Sequence, residues 1–76
     1  MRASVNIRTN NGKPEKVAKR IRRISGVSES FPVFGWVDVV ALVEVPTASD
    51  LQRVVTAINK TWGVGVVEAF PEMVLI

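Results

Sequence analysis

The sequence of 76 residues contains neither cysteine nor histidine. Without cysteine, disulfides and thiolate metal sites are excluded. Without histidine, the base that usually activates a serine or threonine nucleophile is missing. The seven acidic residues are scattered along the chain instead of forming a cluster that could hold a metal. We therefore expect no metal site, no cofactor and no catalytic residues.

Long apolar runs are also missing. No stretch approaches the ~20 residues that a membrane-spanning helix needs. Met1 and Arg2 lead directly into an alternating pattern instead of the apolar core of an export signal. We expect a cytoplasmic protein with no membrane contact.

The length fits one domain, residues 1–76. A domain of this size buries only ~60% of the surface of its unfolded chain, so its stability alone is marginal. Because disulfides and metals are excluded, self-association is the remaining means of stabilisation.

The charge is segregated along the chain. Residues 2–23 carry eight bases and one acid, Glu15, whereas the remainder carries two bases and six acids. This basic first segment indicates either an anionic partner or a solvated helix face. We favour the solvated face, because no aromatic residue is interleaved with the bases to stack on nucleotides. We therefore expect no direct DNA binding.

Hydrophobic periodicity predicts the element order β-α-β-β-α-β. Strands are predicted at 3–9, 27–34, 37–45 and from 64, and helices at 13–24 and 48–61. Gly26 and Gly63 are placed to end the helices, Thr47 or Ser49 to begin the second, and Pro32 indicates an edge strand or a bulge. Gly35-Trp36 predicts a tight hairpin turn, and residues 70–76 continue the last strand or form an apolar tail. The fold class is α+β, ferredoxin-like, with both helices on one face of the sheet.

The third strand is apolar on both faces. If Val39 and Ala41 face the helices, Val40 and Leu42 face away from them. Each such side chain left in water forfeits roughly 1.5–3 kcal/mol of burial. Val40 and Leu42 therefore predict a dimer in which two sheets pack face to face.

Three residues stand out as candidates for a site. Asp38 lies just inside an otherwise apolar strand, where it either caps turn amides or accepts the ammonium group of a ligand. Trp36, at the hairpin tip, is the better candidate for an interface anchor. Trp62 continues the apolar stripe of the second helix, and we expect it in the core.

The run VSESFPVFGWVDVVALVEV, residues 27–45, resembles the second and third strands of the ligand-binding module of the Lrp/AsnC transcription regulators, with Gly35 and Asp38 three apart. Gly26-Val27 and Gly63-Val64 resemble its two helix-to-strand joints. The similarity covers about residues 3–76. It implies dimeric α+β barrels, often assembled into octamers or decamers, with amino acids or similar effectors bound between dimers near the Gly-x-x-Asp hairpin.

The resemblance implies a stand-alone module without a DNA-binding domain, which senses a metabolite or joins full-length regulators. Gly35, Trp36 and Asp38 would line its effector site. The family's last strand often carries a Thr-x-Thr pair that holds the polar groups of an amino acid. Here residues 66–71 read VVEAFP and lack both threonines, so a more apolar ligand, or no ligand, is an alternative.

Two other classes of function stay open. The first is a cofactor-free oxygenase-like enzyme on a dimeric α+β barrel, with Asn6, Trp36 or Trp62 lining a pocket inside each subunit. The second is a structural module that docks an acidic partner through its basic first helix. The regulatory binding module is the leading hypothesis.

Overall fold

The computed structural model describes residues 1–73. Its elements follow the predicted order, and their bounds are β1 Arg2–Thr9, α1 Pro14–Arg22, β2 Val27–Pro32, β3 Val39–Glu44, α2 Ala48–Asn59 and β4 Val64–Pro71. None of the helices in this part of the chain is both long and apolar enough to cross a bilayer.

The four strands form one sheet in the order β2-β3-β1-β4, and all neighbours are antiparallel. β2 is an edge strand with a register shift between Val27 and Glu29, which agrees with the expectation raised by Pro32. At an edge, the N–H that proline lacks is not needed by another strand.

Both helices pack on the same face of the sheet. Alternate residues of the central strands, such as Val5 and Ile7 in β1 and Val39 in β3, are fully buried against them. The core these residues form with the helices also includes Val17, Ala18, Ile21, Ala41, Val43, Leu51, Val54 and Ile58. Residues 1–73 leave the opposite face of the sheet uncovered.

The ends of the helices are set by local chemistry. The Thr47 hydroxyl accepts a hydrogen bond from the Asp50 N–H at 3.2 Å and donates one to the Asp50 carboxylate at 2.8 Å. This is the predicted N-cap of α2, and it leaves Ser49 inside the helix. Gly26 and Gly63, with φ of +102° and +93°, follow α1 and α2 and turn the chain into the next strand.

The connection between β2 and β3 is longer than predicted. The expected tight turn at Gly35-Trp36 is wrong, because β2 ends at Pro32 and β3 begins at Val39. The Val33 N–H donates to the Asp38 carbonyl at 2.9 Å and closes the loop between them. Gly35 lies inside this loop with φ of +143°. Residues 70–71 extend β4, and the predicted strand or tail at residues 74–76 lies outside the described part of the chain.

Gly26 offers a stability test with a matched control. An alanine Cβ there would lie 2.7 Å from Val54 and 2.9 Å from Val45, both in the core, whereas one at Gly35 would meet nothing within 4 Å. Both positions have positive φ, so both alanine variants carry backbone strain of about 1–3 kcal/mol. Only Gly26→Ala adds steric overlap, and we expect it to lower the free energy of unfolding by a further 1–3 kcal/mol or so. If urea denaturation shows that both variants lose the same free energy of unfolding, this packing is contradicted.

Candidate functional site

The loop between β2 and β3, residues 33–38, projects two aromatic side chains into solvent. Phe34 is fully exposed and Trp36 is 88% exposed. Between them, a side chain added at Gly35 would meet no other atom within 4 Å. Large aromatic side chains exposed this fully are uncommon on a monomer surface and are typical of contact sites.

Asp38 joins this loop to the end of β1. Its carboxylate oxygen Oδ2 accepts a hydrogen bond from the Thr9 N–H at 2.8 Å and one from the Thr9 hydroxyl at 3.2 Å. Its own N–H donates to the Ile7 carbonyl at 2.9 Å. One of the two sequence interpretations, that Asp38 caps a backbone N–H, therefore describes part of its role, although the donor lies in β1 and not in the hairpin. No hydrogen bond to Oδ1 is found within residues 1–73.

A groove of about 330 Å³ runs beside Asp38. It lies between the start of α1 and the end of β2, and it is lined by Pro14, Glu15, Pro32, Val33, Phe34 and Asp38. Four of these six residues are apolar, and the two polar ones carry carboxylates. This combination suits a small ligand with an apolar body and a cationic group. Gly35 and Trp36 lie in the same loop but outside this lining.

Val40 and Leu42 lie on the uncovered face of the sheet, both half-buried. The strand register places Phe31 opposite Val40 and Phe70 opposite Ser4, which is itself opposite Leu42. We call this surface the open face, and its apolar members are Phe31, Val40, Leu42, Val66 and Phe70. Phe31, Val66 and Phe70 were not predicted from the sequence, because only the strand register shows that they share a face with Val40.

Polar residues of the central strand β1 divide these apolar side chains into two groups. Asn6 and Glu68 are register partners on the open face, and Glu29 is opposite Leu42. At one end of the sheet, the Arg2 guanidinium lies 3.6 Å from Glu44 and 3.5 Å from Glu72, and so links the three strands β3, β1 and β4. These pairs are largely exposed, so each contributes little to stability. The open face thus carries two apolar groups, one on β2 and β3 and one on β4, with the polar side chains of β1 between them. Protein interfaces also mix apolar and polar contacts in this way.

The sequence model of the Lrp/AsnC ligand binding domain matches residues 2–73. The chain belongs to this family. No curated protein sequence matches it.

Solved structures agree with the Lrp/AsnC assignment in fold. TTHA0845 from Thermus thermophilus is 29% identical, with a TM-score of 0.88 over 99% of this chain and 95% of that one. Hypothetical protein PHS023 from Pyrococcus horikoshii is 24% identical, with a TM-score of 0.85 over 97% of this chain and 90% of that one. The transcriptional regulator NMB0573 from Neisseria meningitidis, solved as an L-Met complex, is 14% identical, with a TM-score of 0.73 over 90% of this chain but 46% of the longer regulator.

Membership of the Lrp/AsnC family favours ligand binding and regulation over the enzyme alternative. The side chains considered for an enzyme pocket also lie apart. Asn6 is on the open face, Trp36 is in the β2–β3 loop, and Trp62 lies beside α1 on the helical side. Between the sheet and the helices, fully buried aliphatic side chains fill the layer in which an oxygenase-like pocket was considered.

The expectation that Trp62 belongs to the core is wrong. Its side chain is 61% exposed, and the Arg20 guanidinium lies 4.9 Å from the centroid of its ring. α2 ends at Asn59, so Trp62 has left the helical stripe on which the prediction rested. The Trp62 ring lies over the turn before α1 instead, where a Cβ at Gly12 would be 3.3 Å from it.

Proposed function

We propose that this Lrp/AsnC domain binds a small effector bearing a cationic group, such as an amino acid, in the groove beside Asp38. The observation that carries the proposal is the half-buried Asp38 carboxylate at the wall of an otherwise mostly apolar groove. The L-Met complex of the Neisseria regulator supports an amino acid as the class of effector.

The contacts of Asp38 fit a ligand role. Thr9 holds the Oδ2 atom through two hydrogen bonds, which fixes the side chain before any ligand arrives. Oδ1 stays available to accept from an ammonium group. A charge-assisted hydrogen bond in a partly desolvated groove is stronger than one between neutral groups. Glu15, which also lines the groove, adds to its preference for cations.

The rest of the groove sets the expected shape of the effector. Pro14, Pro32, Val33 and Phe34 offer apolar contact, and the Thr-x-Thr pair typical of the family's last strand is missing. A ligand with an apolar side chain would bury it here, whereas one with many polar groups would leave them unpaired. Gly35 and Trp36 would contact the ligand from a neighbouring dimer or close the groove over it.

Calorimetry with a panel of amino acids tests the role of Asp38. We expect the amino acid that binds the parent best to bind the Asp38→Asn variant roughly 10- to 100-fold more weakly. This substitution removes the charge but keeps an acceptor for Thr9. Glu15→Gln is the matched control, since it removes one carboxylate from the same groove, and it should cost less than Asp38→Asn. An analogue of the same ligand without its amino group should bind the parent and Asp38→Asn equally. Unchanged affinity of Asp38→Asn would refute the assignment.

We also propose that two copies pack through their open faces, and that dimers then join through the β2–β3 loops. The apolar contacts of the dimer come from Phe31, Val40, Leu42, Val66 and Phe70. The exposed Phe34 and Trp36 supply anchors for the second contact, which would build octamers or decamers or mixed assemblies with full-length regulators. An effector that binds one assembly state more tightly shifts the equilibrium towards that state.

The dimer contact is tested by Leu42→Asp. A carboxylate in place of a side chain that packs against the partner is costly to desolvate, so we expect this variant to sediment as a monomer. Thr56→Asp, on the exposed side of α2, makes a similar charge change far from the open face and should keep the parent's mass. Circular dichroism establishes that both variants are folded. A folded Leu42→Asp variant with the parent's mass would contradict the proposed contact.

A further inference from the structure

α1 carries a basic surface on the side of the molecule opposite the open face. Val17 and Ile21 point into the core, so Lys16, Lys19 and Arg23, at spacings of three and four, point away from it. Arg20 flanks them on one side. We call these four residues the basic surface, and all four are exposed.

No acidic side chain of residues 1–73 forms an ion pair with the basic surface. Within residues 1–73, every ion pair is made by Arg2 or Arg53. Glu15 is the single acid among residues 2–23 and forms no ion pair with Lys19, four residues away. Like charges three and four residues apart destabilise a helix. The bases of this surface therefore repel one another, and an anionic partner would relieve that repulsion.

The fold adds an aromatic ring that the local sequence lacks. Trp62 comes from the turn after α2, about forty residues beyond α1, and lies against Arg20 with 61% of its surface exposed. An arginine stacked on an aromatic ring presents a planar cation, and both groups are surfaces on which nucleic-acid bases stack. The basic surface and Trp62 thus combine phosphate-binding cations with a stacking site.

We propose that the basic surface and Trp62 bind single-stranded nucleic acid. Lys16, Lys19 and Arg23 would contact successive phosphates, and an unpaired base would stack on Arg20 and Trp62. A single strand fits better than a duplex because its bases are free to stack on protein. An acidic protein would use the cations but not the stacking site.

The proposal replaces the expectation of no direct DNA binding, which rested on the lack of an aromatic residue among the bases. It is independent of the effector groove. It is compatible with a dimer formed through the open face, because α1 lies in the opposite layer and would remain outward.

Fluorescence anisotropy with a labelled mixed-sequence DNA strand of about 16 nucleotides tests the phosphate contacts. We expect the logarithm of the binding constant to fall linearly with the logarithm of salt concentration. Lys16→Gln/Lys19→Gln should lower the magnitude of that slope by about 1.4, or about 0.7 for each lost phosphate contact. Gln52→Glu/Thr56→Glu, at exposed positions of α2, gives the same net charge and is the matched control. If the two double variants change the salt dependence of binding equally, binding depends only on net charge, and the proposal is overturned.

The stacking site is tested in the same assay. Trp62→Ala should weaken binding by roughly fivefold or more, and Trp62→Phe should retain most of the affinity. Polyglutamate and the corresponding duplex should both bind more weakly than the single strand. Failure to bind the strand at about 50 mM salt would overturn the proposal. Tight binding of polyglutamate with no effect of Trp62→Ala would also overturn it and would identify an acidic protein as the partner.

Discussion

The two helices of this domain cover one face of a four-stranded sheet, and this asymmetry governs the rest of the molecule. The covered face supplies the core, built almost entirely from valine, isoleucine, leucine and alanine. The open face keeps apolar side chains on β2, β3 and β4 that one copy cannot bury. A small chain without cysteine has few other sources of stability, so the free energy available from covering that face is a large fraction of the total.

Periodicity predicted the order of elements, Pro32 indicated the edge position of β2, and Gly26 and Gly63 marked the turn after each helix. These features depend on neighbouring residues, so the sequence was enough to predict them. It failed where the outcome depends on distant contacts. The β2–β3 loop is longer than a tight turn because Val33 pairs with Asp38 across it. Trp62 continues the stripe of α2 in sequence, but the helix has already ended, and the side chain meets Arg20 of α1 instead of the core.

The candidate site also combines a feature that neighbouring residues predict with features that depend on distant contacts. Asp38 stood out in the sequence as a carboxylate in an apolar strand, but its tie to Thr9 joins residues 29 positions apart and could not be read from a pattern. The groove beside it likewise needs α1 and β2 to meet. The match to the Lrp/AsnC ligand binding domain is consistent with the proposed effector site. A ligand held where subunits approach each other would change how they assemble.

The central claim is that the open face is covered by a second copy of the chain. Light scattering of the unmodified protein, measured across a dilution series, tests it most directly. If a second copy covers the open face, the mass at the highest concentrations is at least twice the 8.3 kDa of one chain. A mass of 8.3 kDa at every concentration, from a protein that circular dichroism shows to be folded, would contradict it.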